Sequence, residues 1–267
     1  MRLQRLWWSV LVAAVLGGLV GVTAVAAGEQ FLAILGVREG AQRSSQIPIA
    51  NGFIDYVTLL NERDGGINGV TLVWEECETV FDVARGVECY ERLKGKGPTG
   101  AAVFQLASTP LTYALTERAR HDRIPLLSLG GGRADAADGR VFPYVFNPPV
   151  NFWSLSTAKL RFIGQRAGGL DQLKGRKIAH VYIDNDYGRE TLAILDHQAA
   201  QYGFAVQHLA VAPPGLDQKA TWLRVKVAQP DWVILRSPGV MTTTALKEAA
   251  QVGFPRDKIV GPHPTCV

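Results

Sequence analysis

Two residues with hydroxyl side chains lie between an apolar run and a helical pattern. Ser108 and Thr109 follow the run at residues 101–106, and Pro110 then opens the helical pattern. Hydroxyl groups, unpaired backbone N–H groups and the positive end of a helix dipole converge at such a position, which suits an anion. We therefore predict that Ser108 and Thr109 bind a ligand, and a plain helix cap is the alternative.

Three consecutive glycines follow the next apolar run. Gly130, Gly131 and Gly132 lack side chains, so a ligand could approach the backbone closely there. They do not form a dinucleotide-binding fingerprint, because the residues after them, RADAADGR, indicate a polar loop and not the start of a helix. We predict ligand contacts from these glycines and expect no cofactor.

The second half of the chain has polar loops in comparable places. The segment DNDYG contains Asp184, Asp186 and Tyr187, and Tyr187 offers both an aromatic face and a hydroxyl group. The two carboxylates could bind a cation, although a capped turn without a ligand is the alternative. Pro238 and His263 follow two later apolar runs, and we include Asp184, Tyr187, Pro238 and His263 among the candidate ligand-binding residues.

Catalytic patterns are sparse in this sequence. No GxSxG, HExxH or phosphate-binding loop occurs, and the spacing of the cysteines matches no zinc pattern. His197 and His208 have no evident nucleophile or metal partner, and His180 lies inside an apolar run. We therefore expect neither an enzyme nor a metal site. An exported α/β enzyme that uses Ser108 or the Asp184/Asp186 pair is the rival hypothesis.

The elements that must position these residues alternate between apolar strands and helical patterns. Buried strands are predicted at residues 31–37, 70–74, 101–106, 124–129, 177–183, 204–210, 232–235 and 259–261. Asn51 and Asp82 are predicted to cap two of the helices between them. Such alternation predicts an α/β fold with parallel sheets, and ligands bind such sheets at the carboxyl ends of the strands.

A proline-rich stretch divides the chain. Residues 140–150, RVFPYVFNPPV, contain three prolines, which remove backbone donors and disfavour a helix. We predict two Rossmann-like lobes, at residues 28–142 and 151–267, joined by a hinge at residues 143–150. The ligand would then bind in the cleft between the lobes.

The first 27 residues have the order of a secretory signal peptide. Arg2 and Arg5 precede an uncharged apolar run that ends in small residues, which predicts cleavage near Ala26 or Ala27. A membrane anchor is the alternative. Cleavage would leave 26 basic against 24 acidic residues, a net charge of +2 without a concentrated basic face, so we expect no nucleic-acid partner.

Export would place the cysteines in an oxidising compartment. Cys77 and Cys89 are twelve residues apart, and we place Cys77 just after a strand and Cys89 on the helix that follows. We predict a disulfide between them, and two free thiols are the alternative. Cys266 is left unpaired by this assignment.

Taken together, the motifs resemble those of one family. The segments that carry the resemblance include LLNERDGGINGVTL, ECETVFDVARGVECYERLKGKGPTGAAVF, ASTPLTYAL, IPLLSLGGG, KIAHVYIDNDYG and ALKEAAQVGFPRDKIVG. They are similar to segments of the periplasmic substrate-binding proteins of branched-chain amino acid ABC importers. The resemblance runs from Phe31 to Gly261 and implies a type I bilobal fold with an incomplete second lobe.

The resemblance also implies a mechanism and roles for residues. Lobe one would hold the ligand carboxylate through Ser108, Thr109, Gly130 and Gly132, and lobe two would close over it with Tyr187. His263 stands where the family usually has an acidic residue for the ligand ammonium, which favours a carboxylate or an amide over an ordinary amino acid.

The implied function is solute binding in the periplasm for an ABC importer. The partners would be a small-molecule ligand and the membrane permease subunits, and we expect a monomer. A ligand sensor of the same fold and a truncated remnant without function are the alternatives.

Overall fold

The computed structural model of the chain describes residues 28–130 and 132–261. The predicted signal peptide, Gly131, His263 and Cys266 therefore lie outside the described residues. Among the helices that are described, none is long and apolar enough to cross a membrane.

The first half of the chain forms one parallel sheet with helices on both faces. Its strands are β1 (Glu29–Gly36), β2 (Thr71–Glu78), β3 (Ala101–Leu106), β4 (Leu126–Ser128) and β5 (Val145–Phe146). They are hydrogen-bonded in the order β2-β1-β3-β4-β5, and each pairing is parallel. The helices between them are α1 (Arg43–Asp64), α2 (Val83–Leu93) and α3 (Thr109–Asp122). We call this unit lobe one.

A second parallel sheet forms lobe two. Its strands are β6 (Lys177–Ile183), β7 (Ala205–Val211), β8 (Trp232–Arg236) and β9 (Ile259–Val260), in the order β7-β6-β8-β9. The helices are α4 (Phe152–Ala167), the short α5 (Asp186–Arg189), α6 (Leu192–Tyr202), α7 (Lys219–Ala228) and α8 (Val240–Gln251). The predicted α/β fold with two parallel-sheet lobes is thus confirmed.

Each lobe has its own apolar core, which explains why strands without polar alternation lie in the middle of the sheets. In lobe one, Leu35, Phe104 and Leu126 come from three neighbouring strands and are almost completely buried. In lobe two, Trp222 packs with the central strands β6 and β8 and is fully buried. The two cores hold the carboxyl ends of both sheets in fixed positions.

Several helices begin at the residues that their sequences favour. Asp82, Ser108 and Asn151 each accept a hydrogen bond from the backbone N–H group three residues later, at the starts of α2, α3 and α4. The capping role predicted for Asp82 is therefore confirmed. The caps at Ser108 and Asn151 fix the first turns of two helices that face the cleft.

The structure corrects three details of the prediction. Asn51 is not a helix cap, because α1 begins at Arg43 and continues through Pro48 and Asn51. Cys77 lies within β2 and not after it. Part of the predicted extended connector is strand β5, which pairs with β4 and so belongs to the sheet of lobe one.

Candidate ligand-binding cleft

The start of α3 supplies the lobe-one side of the cleft. The Ser108 Oγ atom accepts a hydrogen bond from the Leu111 N–H group at 3.4 Å, so the helix-cap reading of Ser108 is part of the structure. Ser108 and Thr109 are both buried. A capping hydroxyl keeps its own proton free to donate, so the cap does not exclude a role in binding a ligand.

The segment around Gly132 packs against the start of α3. The Gly132 N–H group donates to Thr109 Oγ1 at 3.2 Å, and Thr112 Oγ1 lies 2.9 Å from Ser128 Oγ. Asn147 donates from Nδ2 to the Arg133 carbonyl group at 2.6 Å, while its buried Oδ1 atom has no partner among the described residues. A Cβ atom on Gly132 would lie only 2.1 Å from Asn147 Oδ1. Glycine is therefore required there, and an unused acceptor lies beside the predicted site.

Three side chains at the carboxyl ends of β6 and β8 and the start of α4 form a stack in lobe two. The Arg236 guanidinium carbon lies 3.6 Å from the ring centroids of both Phe152 and Tyr187, whose rings meet edge to face at 5.2 Å. The Arg236 Nε–H group donates to the Tyr187 carbonyl oxygen at 3.0 Å. Tyr187 is 9% exposed and Arg236 is 2% exposed, so the stack is buried.

Glu190 joins the two lobes. Its Oε1 atom accepts a hydrogen bond from the Tyr113 hydroxyl group on α3, and its Oε2 atom accepts one from the Ala134 N–H group at 3.0 Å. Burial raises the pKa of the Glu190 carboxyl above its usual value of 4.5. The Trp153 indole N–H group donates to the Glu190 carbonyl oxygen at 3.0 Å. These bonds bring the loop that carries Tyr187 against the helix that begins at Thr109.

A second junction between the lobes lies at the end of β8. The Val240 N–H group donates to the Ala41 carbonyl oxygen at 3.3 Å. A Cβ atom on Gly239 would lie 2.6 Å from both Ala41 O and Gln42 Oε1. The Gln42 Oε1 atom is buried and has no hydrogen-bond partner within the described ranges. The lobes are therefore in contact, and their facing loops leave polar atoms unpaired.

The structure brings some of the predicted site residues together and places others elsewhere. Ser108, Thr109, Gly132 and Tyr187 lie on the loops and helix starts that meet between the lobes. The Gly130 N–H group is used in a bond to the Pro148 carbonyl oxygen at 3.1 Å.

The other predicted residues make other contacts, are buried at the lobe junction or lie outside the described residues. The Asp184 carboxylate pairs with Arg189 at 2.8 Å on the surface of lobe two. Pro238 is buried next to the lobe junction at Gly239. Gly131 and His263 lie outside the described residues, so their predicted roles stay predictions.

Several residues of the cleft were not selected from the sequence: Gln42, Tyr113, Asn147, Phe152, Glu190 and Arg236. Arg236 had a usable signal, since it stands directly after an apolar strand in the same loop as Pro238. Glu190 and Tyr113 had none, because their importance depends on the contact between two lobes. Such contacts cannot be inferred from the pattern of one segment.

The described residues of the cleft supply mainly hydrogen-bonding groups. Within the described residues, no hydrogen bond joins Ser108 to a histidine or a carboxylate. His180 is instead engaged in lobe two, where its Nδ1 atom lies 3.0 Å from His208 Nδ1. No group of three or more His, Cys, Asp or Glu side chains in residues 28–130 and 132–261 is placed to hold a metal ion. What the cleft offers is hydroxyl groups, unpaired amide oxygens, an aromatic ring and one buried guanidinium.

Comparisons with solved structures agree with this architecture. A protein from the Pseudomonas fluorescens group, described as an ABC transporter permease, is 47% identical with a TM-score of 0.78. The alignment covers 88% of this chain and 57% of that protein. The chain thus spans less than two thirds of the length of this relative. A comparison with curated proteins gave no significant match.

More distant structures share the fold. A branched-chain amino acid ABC transporter protein from Thermus thermophilus with bound valine is 20% identical with a TM-score of 0.73, over 87% of this chain and 58% of that one. A solute-binding protein from R. palustris in complex with benzoate is 19% identical with a TM-score of 0.73, over 88% and 62%. The sequence profile described as periplasmic binding protein matches residues 29–264. Because this match covers most of the sequence, the chain belongs to the periplasmic binding protein family.

Proposed function

We propose that this chain is the solute-binding component of an ABC importer and that it captures a small carboxylate, amide or amino acid between its lobes without changing it chemically. The observation that carries the proposal is the junction at Glu190, which holds the Tyr187 loop of lobe two against the start of α3 in lobe one. A solute bound there would gain contacts from both lobes only in the closed state, and it would shift the equilibrium by that difference in affinity.

The ligand class follows from the chemistry of the facing loops. Lobe one offers the Ser108 and Thr109 hydroxyl groups at a helix start, which suit a carboxylate. Lobe two offers the Tyr187 ring, which suits an aliphatic or aromatic body. The bound valine and benzoate of the two distant structures are ligands of this size, which supports the choice of compounds for a test.

A thermal-shift screen tests the proposal on the chain from residue 28. The compounds are valine, leucine, isovalerate, benzoate, 4-hydroxybenzoate and the amide of each. At 100-fold excess over Kd a ligand stabilises the folded state by about 2.7 kcal/mol, so the Tm should rise by about 5–10 °C. The absence of a shift with every compound would contradict the proposal.

Variants show whether the ligand binds in the cleft. We expect Ser108→Ala and Thr109→Val each to weaken binding of an active compound by about threefold to tenfold, because each removes a hydroxyl donor to a polar group of the ligand. Ser154→Ala is the matched control, since Ser154 is exposed on α4 and its side chain makes no described hydrogen bond. Equal binding by all three variants would place the ligand elsewhere.

The proposed role includes a location and partners. The mature chain would begin after cleavage near Ala26 or Ala27, work as a monomer in the periplasm and deliver its ligand to permease subunits. The lobe limits at residues 28–142 and 151–267, with the hinge at residues 143–150, belong to the same proposal. N-terminal sequencing of the protein from a periplasmic fraction, together with its mass in solution, tests these statements.

A further inference from the structure

The buried guanidinium group of Arg236 forms no hydrogen bond with a carboxylate among the described residues. The side chain is 2% exposed, and its Nη2 atom has no hydrogen-bond partner among the described residues. The guanidinium group remains protonated at neutral pH, even though burial lowers the pKa of Arg236. A buried charge without a partner is costly, so such a group usually has a counter-ion or a function.

The neighbours of Arg236 hold the guanidinium group without forming an ion pair with it. The Phe152 and Tyr187 rings lie on it at 3.6 Å, and the Tyr187 carbonyl oxygen accepts the Nε–H group. Glu190 is close enough to raise the pKa of Arg236, but its two oxygens accept bonds from Tyr113 and Ala134 of lobe one and none from Arg236. The aromatic rings therefore orient the guanidinium plane and leave Nη2 available as a donor.

The position of Arg236 in the fold points to the ligand. Arg236 is the last residue of β8, at the carboxyl end of a parallel strand, where ligands of such sheets bind. Gly239, three residues later, touches Gln42 of lobe one, and Tyr187 of the stack is the predicted closing aromatic residue. The guanidinium group also lies near Glu190, whose carboxylate contacts Tyr113 and Ala134, so Arg236 is placed at the edge of lobe two that faces lobe one.

We propose that Arg236 binds an anionic carboxylate of the transported solute from lobe two, opposite the group that lobe one holds at Ser108 and Thr109. The inference rests on the proposed function and narrows the class of ligand. The ligand is an acid whose carboxylate binds the Arg236 guanidinium group, and a neutral amide of the same shape binds more weakly. Guanidinium–carboxylate pairs are frequently bidentate, which gives geometric as well as electrostatic selectivity.

The test measures how the preference for an acid over its amide depends on Arg236. Affinities are determined by calorimetry for isosteric pairs: benzoate and benzamide, isovalerate and isovaleramide, and terephthalate and 4-carbamoylbenzoate. The proteins are the wild type, Arg236→Gln, Arg236→Lys and Ser108→Ala. In the wild type we expect at least one acid to bind about 10- to 100-fold more tightly than its amide.

The variants show which lobe determines the preference for the acid over its amide. We expect Arg236→Gln to lose most of that preference, Arg236→Lys to retain part of it because the charge remains, and Ser108→Ala to weaken acid and amide alike. If Arg236→Gln kept the full preference, or if the wild type bound acid and amide equally, the inference would be overturned while the binding function stood. If no compound bound the wild type, the proposed function would fall as well.

The melting behaviour of the free variants separates a binding role from a structural one. If Arg236 serves the ligand, Arg236→Met should melt at the wild-type temperature or above, because methionine fills the space between the rings without a buried charge. Arg176→Met is the control, since Arg176 is half exposed and already paired with Asp231. Loss of a cooperative melt in Arg236→Met, Arg236→Gln and Arg236→Lys would assign the residue to the fold and overturn the inference.

Discussion

We expect the ionisation of Glu190 to make the stability of the folded protein depend on pH. Its folded-state pKa is raised by burial, so the folded protein holds a proton that the unfolded chain releases as the pH rises above about 4.5. Stability should therefore fall as the pH rises from 4.5 through the raised pKa, and Glu190→Gln should remove this part of the pH dependence. The Tm of Glu190→Gln relative to the wild type should increase between pH 4.5 and pH 7.

The control for this measurement is a carboxylate of the same lobe whose pKa is shifted the other way. Burial favours the neutral form of Asp231, but the hydrogen bonds from Lys177 and Arg176 outweigh it and lower the pKa of Asp231, so the stability of Asp231→Asn relative to the wild type should fall as the pH rises. A pH-independent difference between Glu190→Gln and the wild type would show that Glu190 does not titrate in the closed form.

His180 should make lobe two sensitive to acid. Burial lowers the pKa of His180 well below 6.5, and the neighbouring His208, Lys159 and Arg236 lower it further. The imidazole must stay neutral to remain in the fold, so its contribution to stability is present above pH 6.5 and is lost as the pH falls below that value. We expect His180→Asn to lose less stability than the wild type between pH 7 and pH 5.

The control for the buried His180 is an exposed histidine of the same lobe. His180 Nδ1 lies 3.0 Å from His208 Nδ1, and His208 Nε2 lies 2.9 Å from Asp196 Oδ1, so Asp196 is joined to His180 only through His208. His197 lies exposed on α6, and His197→Asn is the matched control. If both variants showed the wild-type acid sensitivity in chemical unfolding, a group other than His180 would be responsible.

The pairing of β2 with α2 is reinforced by a disulfide between Cys77 and Cys89, whose Cα atoms are 5.9 Å apart. Both residues are buried in the core of lobe one. Removing the bond in the double variant Cys77→Ser/Cys89→Ser should cost about 3 kcal/mol of unfolding free energy, because a closed loop of this size restricts the unfolded chain.

Reduction provides the check on this estimate. Guanidinium unfolding of the wild type with dithiothreitol should shift to the midpoint of the double variant, and the variant itself should not respond to dithiothreitol. A wild type that unfolds identically with and without reductant would contradict the prediction.

The elements were largely predictable from sequence, because continuous apolar runs fix parallel strands. The runs at Ala101–Leu106 and Lys177–Ile183 agree with the structure residue for residue. The predicted cap at Asn51 was wrong, because α1 begins at Arg43 and accommodates Pro48 as its sixth residue, although proline generally disfavours the interior of a helix.

The cleft was less predictable than the elements. The start of α3 and Tyr187 were recognisable because they follow strands directly. The buried charge of Arg236 and the junction at Glu190 depend on distant residues that pack only after both lobes have formed. The residue pattern of one segment does not indicate contacts with residues far away in the sequence.

Closure of the whole molecule depends on the small size of residue 239. A side chain at Gly239 would collide with Ala41 and Gln42 across the cleft, and the φ of 52° already favours glycine. Gly239→Val should therefore hold the lobes apart, with a larger radius of gyration in X-ray scattering and little ligand-induced change.

Gly253 provides the control for backbone strain. It has a positive φ of 76°, but no atom lies within 4 Å of a Cβ built there, so Gly253→Val carries the strain without the collision. If both variants had the radius of the wild type, Gly239 would not limit closure.

The fluorescence of Trp153 should report whether the cleft is open or closed. Its indole ring is 41% exposed and bonded to the Glu190 backbone, whereas Trp222 is fully enclosed in lobe two. Opening of the cleft would break the Glu190 bonds to Tyr113 and Ala134 and would so change the surroundings of the Trp153 indole, whereas the buried Trp222 indole would stay shielded from water. The wavelength of maximum fluorescence emission should then follow capture and release of the ligand in real time, without any attached dye, provided that Trp74, Trp222 and Trp232 contribute a constant background.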